Sequence, residues 1–206
     1  MDPTIEARLR QEFPAIAGVD EVGRGPWAGP VTAAAVVLDR GNIPPGMMDS
    51  KKLGARARAA RSAEIHATAQ VSIAHVGVAQ IDRLNILRAS LLAMRRAVEG
   101  LPQVPDLALI DGCHLPDGLP CKALALIRGD ARAESVAAAS IVAKVARDAI
   151  MGALSQQYPG YGWETNAGYG TAAHRAGLDS LGVTPHHRRS FRPIHNILCA
   201  RKILNT

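Results

Sequence analysis

Three things are scarce in this 206-residue chain, and each scarcity excludes something. Aromatic side chains make up 3%, with two Trp, three Tyr and two Phe. The core must therefore be assembled from Ala, Val, Ile and Leu. The three cysteines, Cys113, Cys121 and Cys199, form no Cys-x-x-Cys pair and are odd in number. That argues against a structural zinc site or a disulfide framework and for a reducing compartment. Apolar runs of about 20 residues, the length that spans a bilayer, are missing. The opening MDPTIEARLRQEF carries charge where a secretory leader needs an apolar stretch. No repeat or low-complexity segment interrupts the chain. The expectation is a soluble, cytoplasmic protein.

What is present points toward a folded, basic domain. Apolar residues make up 48%, the formal charge is +6 and the sequence pI about 9.6. The length fits one domain with room for a small appendage, and the charge suits a polyanionic partner without requiring one. AIAGVDEV (15–22) and VTAAAVVLD (31–39) read as two strands joined by a Gly/Pro turn. A helix over 55–69, a strand over 71–79 and a helix from Ile81 to Val98 follow. Two short buried strands come next, at 106–111 and 121–127, and then a long Ala-rich helix over 134–156. A shorter helix near 171–181 lies in a tail richer in Gly, His and Arg. The first two strands are too close in sequence for a parallel crossover, so the pattern predicts an α/β domain with a mixed sheet.

The stretch GVDEVGRGPWAGPV (18–31) sets two acids, Asp20 and Glu21, directly ahead of Gly23-Arg24-Gly25. Gly23 to Ala28 fits the dinucleotide pattern G-x-G-x-x-A, but that pattern must open a helix holding pyrophosphate. Pro26 and Pro30 bracket the turn, and two carboxylates would repel the phosphates. A cation reconciles the charges, because magnesium-type ions take carboxylates, waters and substrate phosphates. Asp111 ends one apolar strand and Asp130 follows another, so both could join Asp20 and Glu21 at one sheet edge. Alone, Asp111-Gly112 would be an ordinary turn and Asp130 a helix cap; four acids together favour a metal site. Adjacent strand residues point to opposite faces. Either the strand ends or twists at Asp20, then, or one of the pair offers its backbone carbonyl.

Seven motifs in order carry a resemblance: GVDEVGRGPWAGPV, DSKKL (49–53), RLNILRAS (83–90), IDG (110–112), RGDARAESVAAASIVAKVARD (128–148), GYGT (168–171) and HHRRSF (186–191). Together they resemble the type 2 ribonucleases H, in the bacterial ribonuclease HII form, from about residue 15 to 193. The resemblance implies a ribonuclease H-like mixed sheet flanked by helices, with residues 1–165 as the catalytic domain and 166–206 as a helical substrate-binding appendage. It implies endonucleolytic cleavage of RNA paired with DNA, including a single ribonucleotide embedded in duplex DNA. Asp20, Glu21, Asp111 and Asp130 would bind Mg2+ or Mn2+ in a two-metal hydrolysis giving 3′-hydroxyl and 5′-phosphate ends. Gly23, Arg24 and Gly25 would read the 2′-hydroxyl, which deoxyribose lacks. Tyr169 would stack against the adjoining sugar.

Lys51 and Lys52 would contact duplex phosphates, with a solvated loop as the other reading. Ser140 and Lys144 share a helix face that could meet a phosphate, while Lys144 and Asp148 are also spaced as an ion pair. His186, His187, Arg188 and Arg189 form a basic cluster placed near substrate by the resemblance, Arg188 among the binding residues. The family commonly has lysine before the Gly-Tyr pair, where this chain has Ala167. Arg175 is a candidate to replace that contact. The rival from another class is a basic nucleic-acid-binding module whose acids only cap and turn, and a nucleotide-cofactor oxidoreductase is disfavoured by Pro26 and the acids. A monomer without a clamp-binding tail is expected, since ARKILNT carries no such signature.

Overall fold

A computed structural model describes residues 4–39, 41–44 and 53–204. In chain order the elements are α1 (Thr4–Glu12), β1 (Ile16–Val22), β2 (Val31–Leu38), α2 (Ala55–Thr68), β3 (Ala69–Val76), α3 (Val78–Leu84), α4 (Ile86–Glu99), β4 (Leu107–Asp111), β5 (Lys122–Leu126), α5 (Glu134–Gln157), α6 (Trp163–Asn166), α7 (Ala172–Leu181) and α8 (Arg192–Leu204). The strands form one sheet in the order β3-β2-β1-β4-β5. β1 pairs antiparallel with β2 and parallel with β4, and β4 pairs parallel with β5. The mixed α/β sheet expected from the short β1–β2 connection is the one observed.

By its internal packing the chain divides into two compact units. The first comprises 1–22, 32–75 and 90–146; the second comprises 23–31, 76–89 and 147–206. The first unit shows how a core is made with few rings. Ala34, Val36 and Leu38 of β2 meet Ile65 of α2 and Ala137, Ala138, Ala139, Ile141, Val142 and Ala143 of α5. Small side chains let helix and strand backbones draw together, and Gly18 takes this furthest. A Cβ there would lie 2.0 Å from the carbonyl carbon of Ser135, so the start of α5 rests directly on β1.

A second cluster joins Ile16, Leu107, Leu109, Leu126, Ala133 and Val136, with Ile5, Leu9 and Phe13 packed against it. This brings in α1, which the sequence pattern did not reveal. The buried Glu6 of α1 accepts a hydrogen bond from the Ser135 amide at 3.1 Å. A carboxylate placed there suits the positive end of α5.

Three expectations change. The helix expected from Ile81 to Val98 is two helices, α3 and α4, broken at Asn85, whose φ is 70°. The Asn85 side chain accepts from the Arg88 amide at 3.1 Å, capping α4. β5, expected to be buried, is an edge strand with Lys122, Leu124 and Ala125 exposed. The tail carries a further helix, α8, with Pro193 in its first turn, where the missing N–H does no harm. The second unit has its own core of Ala28, Met151, Leu154, Tyr161, Trp163, Leu178 and Ile194. Among the described residues no helix is long and apolar enough to cross a membrane.

Candidate active site

The acids are positioned by strand register. Val19 of β1 stands opposite Ile110 of β4 in the parallel pairing. The next residues on each strand, Asp20 and Asp111, are therefore neighbours whose side chains emerge on the same face. Asp20 is 7% exposed. Its carboxylate accepts from the Glu21 amide at 2.7 Å and is hydrogen-bonded to the Ser140 side chain of α5. Burial pushes the Asp20 carboxyl well above the usual carboxylate range; the charges of Asp111 and then Glu21 add to this, and the two hydrogen bonds oppose it.

Asp111 ends β4, and its Oδ1 accepts from the Gly129 amide at 2.7 Å. Gly129 opens a short 3-10 turn, Gly129–Ala131, just after β5. The turn is launched by Arg128 in the left-handed region, φ 55°. It carries Asp130, which is 7% exposed. Three adjoining strands thus bring Asp20, Asp111 and the Asp130 turn to one region of the first unit. β1 continues to Val22, so the strand does not end at Asp20. Lys144 is half-buried on α5, one helical turn beyond the serine that bonds Asp20.

Among the described residues no three acid, imidazole or thiol groups already stand as an ion cage. The donor chemistry nevertheless fits a divalent ion. A buried carboxylate flanked by two others is short of positive charge, and an all-oxygen set is what magnesium-type ions accept.

The glycine turn belongs to the second unit and is shaped by two arginines that are 0% exposed. Arg147 donates to the carbonyls of Pro30 (2.9 Å), Ala167 (2.9 Å) and Ala28 (3.1 Å). Arg188 donates to those of Gly29 (3.0 Å), Arg24 (2.9 Å), Gly23 (2.6 Å) and Pro30 (3.1 Å). Arg188, expected at the substrate surface, lies instead in the interior, its donors occupied by the turn. Gly23 is buried with φ 94°, and a Cβ on it would fall 2.1 Å from Arg147 Nε. Arg24 and Gly25 face outward. Tyr169 is 47% exposed, and its ring edge lies near Gly25, 3.3 Å from where a Cβ there would stand. The turn is further tied to the Tyr169 segment by a bond from the Trp27 amide to Gly168 O at 2.8 Å. Lys51 and Lys52 lie outside the described residues.

Behind Tyr169 is a buried chain of imidazoles. His174 Nδ1 stands 3.0 Å from Tyr169 O, so it carries the proton there. His174 Nε2 then accepts from Trp163 Nε1 at 3.1 Å and from His187 Nε2 at 3.0 Å. His187 Nδ1 accepts from the Thr184 amide at 2.9 Å. Each contact has one donor only in this arrangement, so both rings are neutral. Burial, followed by the neighbouring His174, holds the His187 pKa down to about 4. Asp82 of α3 accepts from the amides of Arg189 and Ser190, fixing the strand of chain that carries Arg188. Sequence reasoning missed the structural parts of His174, His187, Asp82 and Arg147; Arg147 and His187 lie inside the quoted motifs, while Asp82 and His174 fall just outside them and carried no signal.

The fold is that of the type 2 ribonucleases H. Ribonuclease H2 from Pyrococcus horikoshii OT3 superposes with a TM-score of 0.79 at 26% identity, covering 91% of this chain and 99% of that one. The ribonuclease HII of Archaeoglobus fulgidus, solved in complex with PCNA, gives 0.70 at 25% identity, covering 88% and 96%. Ribonuclease HII of Cereibacter sphaeroides is 64% identical over 192 residues, 93% of this chain and 91% of its own length. That of Paracoccus denitrificans is 60% identical over 194 residues, 94% and 92%. With the ribonuclease HII family profile matching residues 17–194, this chain belongs to the ribonuclease HII family. It is an enzyme, an endonucleolytic hydrolase of the ribonuclease H class.

Proposed function

We propose that the protein cleaves the RNA strand of RNA/DNA hybrids and nicks duplex DNA 5′ to a single embedded ribonucleotide, starting its removal. Products with 3′-hydroxyl and 5′-phosphate ends follow from hydrolysis at the P–O3′ bond. The observation that carries this reading is the burial of Asp20 beside Asp111. A carboxylate held at such a cost in a basic protein needs a cationic partner, and a pure binding module has no use for it.

Asp20, Glu21, Asp111 and Asp130 would hold Mg2+ or Mn2+. When bound, such an ion neutralises a scissile phosphate and makes water a stronger nucleophile at neutral pH. The chain's own groups do the rest. Ser140 and the Glu21 amide orient the Asp20 carboxylate, and the Gly129 amide orients that of Asp111. Oriented carboxylates lose less freedom on loading. Gly23-Arg24-Gly25 follows Glu21 after a single residue, Val22, and its backbone would read the sugar. Tyr169, exposed beside Gly25, offers a ring face to that sugar. Lys51, Lys52 and Lys144 would meet phosphates, which set register and affinity rather than ribose selectivity. The 166–206 segment would serve as the substrate-binding appendage.

The test is a DNA duplex bearing one ribonucleotide, incubated with magnesium or manganese and then with chelator. Nicking 5′ to the ribonucleotide, abolished by chelator, supports the reading. An intact duplex under both metals overturns it.

A further inference from the structure

Burying a guanidinium is costly unless its donors are met, and this chain buries two in one small unit. Asp148 favours the charged form of Arg147 and Asp82 that of Arg188, but burial is the larger effect on both. All of their hydrogen bonds go to backbone carbonyls, three from Arg147 and four from Arg188. Six of the seven end on residues 23–30. The seventh, from Arg147 to Ala167 O, reaches the segment that presents Tyr169. With both side chains fully covered, neither can touch a phosphate.

A turn whose carbonyls are drawn inward is left to present amides and Cα–H edges outward. The outward part here is Arg24-Gly25, next to the Tyr169 ring. We propose that Arg147 and Arg188 are positioning residues for ribose recognition: a two-arginine clamp that fixes turn 23–30 and the Tyr169 segment in one shape. The inference rests on the reading that this turn senses the 2′-hydroxyl. The clamp also accounts for Gly23, whose lack of a side chain makes room for Arg147. It distinguishes Gly23 from Gly25, which has open surroundings apart from the tyrosine. Lysine cannot reproduce the clamp, since its ammonium is a point charge without the planar fork.

The test compares wild type with Arg147→Lys and Arg188→Lys on two duplexes of one sequence, one with a single ribonucleotide and one all-deoxy. Binding is read by anisotropy in the presence of chelator, after circular dichroism has verified folding. Each variant is expected to lose about tenfold of the preference for the ribonucleotide duplex, equivalent to one or two well-placed hydrogen bonds. Affinity for the all-deoxy duplex, which depends on phosphate contacts, should change by less than about threefold. A folded variant that keeps its full preference overturns the clamp. A second measurement needs no substitution: with arginine Nε labelled by nitrogen-15, wild type should show two slowly exchanging Nε–H signals that shift with the ribonucleotide duplex and not with the all-deoxy one. Signals indifferent to both duplexes, or fewer than two slow ones, overturn it too. If wild type neither prefers nor nicks the ribonucleotide duplex, the functional reading itself has failed. Nicking by a wild type whose Lys variants discriminate as well as it does removes only the clamp.

Discussion

Gly23 and Arg147 are mutually exclusive in space: a methyl group on the first would sit 2.1 Å from Nε of the second. The left-handed φ of Gly23 adds backbone strain to any substitution. Gly23→Ala is therefore expected to destabilise the protein by about 3 kcal/mol or more, a melting-point drop of roughly 6–12 °C. Gly25→Ala, whose methyl meets only the edge of an exposed tyrosine, should melt within a few degrees of wild type. Its defect should instead be in cleavage, about tenfold or more. Thermal melts and single-turnover nicking on the same preparations separate the two glycines.

Asp111→Asn keeps the shape of the side chain and removes its charge. Nicking should fall by about 1,000-fold or more, the equivalent of several kcal/mol of lost ion-mediated stabilisation. Duplex binding should stay within about threefold, because phosphate contacts supply it. A calorimetric Mn2+ titration should show weaker uptake in the same variant. Equal loss of binding and cleavage would contradict separate roles for acids and basic residues.

Tyr169→Ala removes an exposed ring and no buried contact of the sheet. A rate loss of about tenfold is expected, in the range of a lost stacking partner. Metal uptake should not change, and an unaltered nicking rate would remove Tyr169 from the substrate site.

The imidazole chain behind Tyr169 gives a pH dependence with a definite sign. The folded pKa of His187 is about 4, below the unfolded value of about 6.5. Between these values the unfolded chain binds more protons than the folded one, so stability rises with pH and is lost as pH falls from about 6.5 toward 4. His174, also lowered chiefly by burial, acts in the same direction. His186 and the other faces of the cluster, Tyr161, Trp163 and Thr184, supply no carboxylate to reverse it. The raised Asp20 carboxyl acts in the opposite direction but is common to wild type and His187→Gln. As pH is lowered from 7 to 4 the melting temperature of wild type should therefore drop relative to that of the variant, and a constant difference would refute the assignment.

Gly18→Ala tests the close approach of β1 and α5. The added methyl would overlap the backbone at Ser135 and Val136, which no rotamer change can relieve. A loss of about 3 kcal/mol or more is expected in denaturant unfolding. A variant as stable as wild type would mean that α5 can withdraw without cost.

Much of the sheet was legible because its signals are local. Apolar runs bounded by Gly, Pro and acids marked all five strands, and the short β1–β2 link excluded a parallel pair. Asp20 and Asp111 could be singled out as strand-borne acids, although only the register that sets Val19 against Ile110 makes them neighbours. What stayed hidden depends on distant partners. The break at Asn85 keeps the apolar helical spacing on both sides, so the periodicity runs through it. β5 looks buried by composition, yet it ends the sheet, and among the described residues no strand lies beyond it. The bond of Ser140 to Asp20 joins residues 120 positions apart, and no local pattern announces it. Arg147 and Arg188 look like surface cations in a basic sequence; nothing local shows that a proline- and glycine-bracketed turn will wrap its carbonyls around them.

The uneven placement of rings has an optical consequence. Trp27, Trp163, Tyr158, Tyr161 and Tyr169, all the tryptophans and tyrosines of the chain, fall within the second unit. Intrinsic fluorescence will therefore report on the half that carries the glycine turn, while the half that carries the carboxylates emits almost nothing. Comparing emission with far-ultraviolet ellipticity during unfolding would reveal, without any added dye, whether the two halves melt together.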